Sequence, residues 1–315
     1  MSTASKSKCR VIVLFGPTGV GKTELITEIF SQNTEVISAD SLQVYRGLDI
    51  GTAKPGLPER ERIPHHLIDI KDPSESFDAG SFVKAADEKV EDILSRGKVP
   101  LVSGGTAFYL INFLYGLPET PPSDSDVRGE LENRLAVEGA KSLYKELALT
   151  DPETAERLHP NDTYRVMRAL EVYRCSGRPL SEFHSPLQHR SHARDKWDTL
   201  VLGLFRDRKE LYRRIDERVE KMWSRGLIGE VGSLISSGYG EKDPAMKGIG
   251  YREFFRMRRQ GELTLEDVKE EIKKNSRRYA KRQLTFFRKI KETHWFQPEE
   301  RTNIEKLVLQ FYSEG

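Results

Sequence analysis

The 315-residue sequence predicts an α/β fold in which a parallel sheet is flanked by helices and interrupted by an all-helical insertion. Three observations carry that expectation. A short apolar run, Arg10-Val-Ile-Val-Leu-Phe15, leads directly into a glycine-rich turn and a helical segment. Two more strand-like runs, Glu35–Ser38 and Val99–Ser103, also end in small polar residues. From Asp126 to about residue 185 the pattern is helical throughout. Strand, loop and helix in repeated order imply parallel strands with functional groups at their carboxyl ends.

The first run is β-branched and apolar without alternation, as in a strand buried on both faces. The turn after it, Gly16-Pro17-Thr18-Gly19-Val20-Gly21-Lys22-Thr23, fills every fixed position of G-x-x-x-x-G-K-[ST] and makes the sheet P-loop NTPase-like. Its glycines permit the tight turn, and its backbone N–H groups and the following helix N-terminus face phosphate oxygens. Lys22 would neutralise the terminal phosphates and the Thr23 hydroxyl would ligate Mg²⁺. The pattern therefore implies a bound diphosphate or triphosphate.

The second run ends at Ala39-Asp40-Ser41, where Asp40 reads equally as a turn cap or as a general base facing the phosphate loop. The run Val99–Ser103 ends in Gly104-Gly105-Thr106. Phosphate-loop enzymes usually hold Mg²⁺ with an acid at such a strand end, and no acid follows this one. Pro118-Glu-Thr-Pro-Pro-Ser-Asp124 marks a boundary, beyond which Val127, Leu131 and Leu135, then Leu143 and Leu147, then residues 163–173 follow helical spacing. Trp197–Phe205 is strand-like and returns the chain to the sheet, after which long helices are expected to the end. The expected organisation is a catalytic core formed by residues 1–119 and 198–315, with a helical insertion over residues 120–197.

Hydrophobic residues at 37% suffice for a core, and charged residues at 32% for a well-solvated surface. Cys9 and Cys175 fit no zinc or disulfide spacing, which points to a reducing compartment and a cytoplasmic location. No apolar stretch approaches a membrane span, so no membrane partner is expected, and Met1–Lys8, without the hydrophobic run of a secretory signal, reads as a short disordered leader. The net charge of +2 conceals an asymmetry. Ten basic residues against two acidic ones between Lys269 and Lys291 give +8 there, leaving −6 elsewhere. A polyanionic partner would suit this segment, with Tyr279, Phe286 and Phe287 interleaved as stacking groups. A solvated amphipathic helix is the alternative, its apolar series being Val268, Ile272, Tyr279, Leu284 and Phe287.

The run Asp40-Ser-Leu-Gln-Val-Tyr-Arg-Gly-Leu-Asp-Ile-Gly-Thr-Ala-Lys-Pro55 extends these features. Together with the phosphate loop, Pro64-His-His-Leu-Ile-Asp69, Gly104-Gly-Thr106, His159-Pro-Asn-Asp162, Lys247-Gly-Ile-Gly-Tyr-Arg252 and Lys281-Arg-Gln283, it resembles the bacterial tRNA dimethylallyltransferases. The resemblance runs in family order from about Val11 to Trp295. It implies transfer of a dimethylallyl group from dimethylallyl diphosphate to N6 of adenosine 37 in the anticodon stem-loop of tRNA, with Mg²⁺ and release of diphosphate. The same resemblance assigns Asp40 as the base, Lys22 and Thr106 as catalytic groups, and residues Gly16 to Thr23 with Arg218 as diphosphate ligands. For Arg218 a surface salt bridge is the alternative. tRNA contacts are implied for Asp40, Ser41, Leu42, Gln43, Thr106, Arg128, Tyr164, Arg165 and Arg168. They are implied also for Lys247, Gly248, Gly250, Tyr251, Arg252, Lys281, Arg282, Gln283 and Arg288.

The chain departs from the family pattern at Ala107-Phe108, which follow the Gly-Gly-Thr motif, and nothing after Trp295 resembles the zinc-binding module of eukaryotic relatives. His65 and His66 lack a second ligand cluster and read as packing or RNA-contact residues rather than a metal site. A monomer is expected. Two other readings stay open: an adenylate isopentenyltransferase acting on free nucleotides, and an RNA-binding ATPase or kinase.

Overall fold

The core begins with β1 (Arg10–Phe15), α1 (Lys22–Ile29), β2 (Thr34–Ser38), α2 (Leu57–Arg62), β3 (His65–His66), α3 (Ala79–Ser95), β4 (Val99–Gly104) and α4 (Ala107–Tyr115). Helices α5 (Ser125–Glu138), α6 (Ala140–Thr150), α7 (Pro152–Arg157) and α8 (Thr163–Ser176) follow. The chain then runs through β5 (Asp198–Leu204), α9 (Arg208–Ser224), α10 (Leu227–Ser236), α11 (Arg252–Gln260), α12 (Leu265–Phe287), β6 (His294–Phe296) and α13 (Arg301–Ser313). This computed structural model describes residues 9–30, 33–183, 194–261 and 264–313; the expected leader, Met1–Lys8, and the expected end of the helical stretch near residue 185 lie outside them.

The strands form one parallel sheet in the order β3-β2-β4-β1-β5-β6. Central strand β1 has Ile12 opposite Leu101 of β4 on one side and Leu200 of β5 on the other. Val11 to Phe15 are all fully buried, which is why the run is apolar at every position. Two edge strands depart from the sequence reading. The chain after β5 is not helical to its end, because His294–Phe296 adds β6 beside β5, and His65–His66 forms β3 beside β2. Segments of two and three residues are too short to carry a periodicity.

The histidines of β3 have structural partners. His66 Nε2 lies 2.7 Å from Glu35, whose buried carboxylate also takes a bidentate contact from Arg96 and a bond from Lys98. Hydrogen bonds from Arg96 hold the Glu35 carboxyl far below the usual carboxylate range. His65 Nδ1 lies 2.7 Å from the Ile63 carbonyl, and burial lowers its pKa.

The described residues cluster as two compact units, residues 9–115 with 194–313, and residues 116–183. The second has its own core of Leu131, Leu143, Leu147, Ala155, Val166, Met167, Ala169 and Leu170, with Val127 and Leu135 packed against it. In the first, α12 opens with a capping box between Thr264 and Asp267 and buries Val268, Ile272, Ala280, Gln283 and Phe287 along one face. Phe287 stacks on Phe15 at 4.6 Å, which lays the end of this helix over the end of β1.

Strand order brings three loops together. Because β4 lies between β2 and β1, the turns after all three open side by side at the carboxyl edge of the sheet. Gly104 sets their spacing. A Cβ built there would meet the Ala39 carbonyl oxygen at 2.1 Å, and backbone atoms cannot yield as a flexible side chain can. Gly104→Ala is expected to cost about 2–3 kcal/mol in urea unfolding and to force apart the turns carrying Asp40 and Thr106; wild-type stability would show that the approach is slack.

Candidate active site

The phosphate loop leaves β1 and turns on Gly19 and Gly21, at φ 79° and 109°, a region that favours glycine. Gly16 is needed for space instead, since a Cβ there would lie 3.0 Å from the Leu204 carbonyl oxygen. Arginines hold the loop from outside: Arg206 Nε donates to the Val20 carbonyl at 2.8 Å and Arg214 Nε to the Gly19 carbonyl at 3.0 Å. Lys22 folds back, its ammonium donating to the carbonyls of Gly16 and Pro17 at 2.8 and 3.2 Å. Within the loop, the Thr18 N–H donates to Gln283 Oε1 at 3.0 Å.

On β2's side, Asp40 is the turn cap that its sequence context allowed, with one carboxylate oxygen left over. Oδ1 accepts from the N–H groups of Leu42 and Gln43 at 2.9 and 3.3 Å, capping the turn. Oδ2 accepts no hydrogen bond among the described residues and remains available. The turn is fastened to β4's loop by backbone bonds from Ala39 to Ser103 and from Thr106 to Ala39. The Thr106 hydroxyl accepts from Ser41 N–H at 2.9 Å and lies 3.3 Å from the Ser41 hydroxyl, which ties it to the Asp40 turn.

Arg218 is in no salt bridge among the described residues. It donates to the Thr52 carbonyl at 2.8 Å, from a loop whose Asp49, Ile50 and Gly51 N–H groups all bind the Glu230 carboxylate. Lys22, Arg218 and Asp40 face one another. Burial, then repulsion by Arg218, pulls Lys22 down to about 7, with Asp40 opposing the shift. Burial also lowers Arg218, again with Asp40 opposing. Two partly desolvated cations beside one carboxylate leave a positive excess, which a diphosphate would neutralise. Among the described residues no group of His, Cys, Asp or Glu could hold a metal ion by itself. Thr23, exposed in the first turn of α1, has a hydroxyl without an internal partner among the described residues. One hydroxyl plus ligand phosphates and water is a donor set that suits Mg²⁺, which keeps several waters.

Several residues expected at the RNA surface face inward. Tyr251 is fully buried and donates its hydroxyl to Glu230 at 2.7 Å. Gly248 and Gly250 are packing positions: a Cβ on the first would meet Leu42 at 2.6 Å, and the second sits at φ 99° against Gly51. Gln43 bonds Ser38, and Leu42 packs on the core around Val44. Gln283 is buried and bridges two loops. In the insertion, Arg168 pairs with Glu171 and the Pro121 carbonyl. Exposed are Lys247, Arg252, Lys281, Arg282 and Arg288 in the core and Tyr164 and Arg165 in the insertion, where Arg128 lies 5.1 Å over the Tyr164 ring.

Not all of the basic helix is free. Lys269 and Lys273 both reach Glu220, and Arg277 reaches Asp216. Lys274, Arg278, Lys281 and Arg282 are exposed and in no ion pair among the described residues. Glu230, Arg206 and Arg214 were missed by sequence reasoning. For Arg214 a signal existed, since it precedes Arg218 by one helical turn and shares its face; Glu230 carried none.

The fold and this cradle define a phosphate-loop protein with a carboxylate set against the anion position. Residues 43–290 match the family model described as IPP transferase. The chain is 45% identical over 310 residues to tRNA dimethylallyltransferase 2 of Geotalea uraniireducens, covering 98% of this chain and 99% of that protein. It is 42% identical over 314 residues to tRNA dimethylallyltransferase of Geobacter sulfurreducens, covering 99% and 100%. Among solved structures, the tRNA isopentenylpyrophosphate transferase of Bacillus halodurans superposes with a TM-score of 0.69 at 37% identity, covering 98% of each chain. A eukaryotic dimethylallyltransferase acting on tRNA gives 0.73 at 35% identity, covering 89% of this chain and 70% of that one. The chain belongs to the IPP transferase family.

The depressed Lys22 has a measurable consequence. At pH 8 the free protein holds Lys22 largely neutral, and an arriving diphosphate restores its charge. Binding of inorganic diphosphate at pH 8 should therefore take up more protons in the wild type than in Lys22→Arg, whose cation stays charged, with the difference shrinking at pH 6, read from the dependence of calorimetric heat on buffer ionisation enthalpy. Equal uptake by the two proteins at pH 8 would mean that Lys22 is already charged.

Proposed function

We propose that this chain transfers the dimethylallyl group of dimethylallyl diphosphate to N6 of adenosine 37 in tRNA. The observation that carries this reading is the free Asp40 carboxylate oxygen facing the Lys22–Arg218 pair, with no acid at the end of β4. In this reaction the allylic C–O bond breaks as the C–N bond forms, the amine proton passes to Asp40, and diphosphate leaves. Adenine N6 is a weak nucleophile because its lone pair is delocalised, so a positioned base is required. Lys22, Arg218 and the loop N–H groups take up the charge that develops on the leaving oxygen. Bound at Thr23 and the diphosphate, Mg²⁺ would supply further neutralisation of that charge. Hydrolysis of a nucleotide would need machinery that the β4 loop does not offer.

The acceptor must leave its stack to reach this edge of the sheet. Lys274, Arg278, Lys281 and Arg282 present an exposed basic face suited to the backbone of the anticodon stem-loop, and Lys247, Arg252 and Arg288 add to it. The insertion contributes RNA contacts through Tyr164, Arg165 and Arg128. A free mononucleotide would need none of these, which disfavours the adenylate enzyme. The chain works as a monomer in the cytoplasm.

The deciding test supplies labelled dimethylallyl diphosphate with unmodified tRNA or AMP. Label is expected on tRNA; label on AMP, or ATP turnover with no label on either, would sink the reading. Asp40→Asn keeps the cap, since the amide oxygen still accepts from Leu42, and removes the base. Transfer should fall roughly 10²–10⁴-fold with tRNA affinity nearly unchanged; near-normal turnover rules the base role out. Neutralising Lys274, Arg278, Lys281 and Arg282 should weaken tRNA binding. Its logarithmic salt slope should flatten by about 0.7–0.9 for each phosphate that is no longer neutralised, while an unaltered slope would place the RNA elsewhere.

A further inference from the structure

Gln283 sits on the inner side of a helix whose outer side is basic, and the chemistry above makes no use of it. Its residue is 3% exposed. Oε1 accepts the Thr18 N–H at 3.0 Å, and Nε2 donates to the Gly105 carbonyl at 2.6 Å. One side chain thus ties the turn that grips the donor to the turn that borders the acceptor side. Beyond the β1–β4 ladder, no backbone hydrogen bond joins these two turns among the described residues. The fit is close, because a Cβ at Gly105 would lie 2.7 Å from Gln283 Nε2.

Only an amide suits this position. It must accept from one turn and donate to the other; an ionised carboxylate would set an acceptor against the Gly105 carbonyl, and an ammonium a donor against the Thr18 N–H. A hydrocarbon side chain would deprive the buried Gly105 carbonyl and the part-buried Thr18 N–H of this partner.

We propose that Gln283 is a positioning residue that fixes the distance between the phosphate loop and the Gly104–Thr106 turn, holding the leaving diphosphate and the incoming amine at reacting distance. This rests on the transferase reading above. Its effect belongs to the turnover step, since a misplacement of about 1 Å can cost on the order of 10²-fold in rate.

The test compares the full-length wild type with Gln283→Met, which keeps volume and loses both bonds, and Gln283→Glu. Binding of inorganic diphosphate is measured by calorimetry, and kcat with KM for each substrate by labelled transfer to tRNA. In Gln283→Met, kcat should fall by roughly 10–100-fold while KM for tRNA changes little, and diphosphate should bind more weakly. A neutral glutamic acid reproduces both bonds and a carboxylate does not, so the kcat of Gln283→Glu relative to wild type should recover as pH is lowered. A merely structural role would not produce that pH profile. Wild-type kcat in Gln283→Met, or a loss confined to KM for tRNA, overturns the proposal. A wild type that binds diphosphate but labels no tRNA overturns the transferase reading instead, and unweakened diphosphate binding in Gln283→Met would then overturn the positioning role as well.

Discussion

The close approach of Gly104 to the Ala39 carbonyl is the constraint from which the rest of the site follows. With β4 between β2 and β1, the sheet delivers a phosphate loop, a carboxylate turn and a Gly-Gly-Thr turn to neighbouring positions. Without a side chain at Gly104, the last two turns share backbone bonds through Ala39. Asp40 is therefore held by backbone, and its carboxylate has one oxygen for the cap and one left over. In the proposed role of base, a carboxylate fixed in this way would lose little conformational freedom on arrival of the acceptor.

Electrostatics complete what packing begins. Lys22 and Arg218 sit near Asp40 without forming an ion pair with it, and both are less basic for being buried. Such an arrangement is costly in the empty protein and relieved by an anion, so the cost becomes selectivity for a multiply charged ligand. The supports lie further out: Glu230 gathers three N–H groups of the loop that supplies the Thr52 carbonyl to Arg218. Arg206 and Arg214 brace the phosphate loop from the other side.

Much of this was legible in the sequence where a pattern has a physical period or a fixed spacing. The apolar run Val11–Phe15, the phosphate-loop glycines and the helical spacing of Leu131, Leu143 and Leu147 each required one kind of neighbour. The strands at His65 and His294 were not legible, because so few residues show no period. Within the site, sequence identified motifs but not which way each side chain faces. Tyr251, Gly248, Gly250 and Gln283 lie in segments read as RNA-contacting and turn out to be packed inside, while Lys247, Arg252, Lys281 and Arg282 in the same segments are exposed. A motif can include the residues that touch a ligand and the residues that hold them in place, and composition alone does not separate the two.

The phosphate loop holds, on this reading, a leaving group rather than a nucleotide. A structure with tRNA and an unreactive thio-analogue of dimethylallyl diphosphate would test that idea without relying on turnover. The expected result has the diphosphate against Lys22 and Arg218, and the flipped adenine with N6 about 3 Å from the free oxygen of Asp40. Diphosphate bound away from residues 16–23, or an adenine whose N6 lies beyond the reach of Asp40, would contradict it.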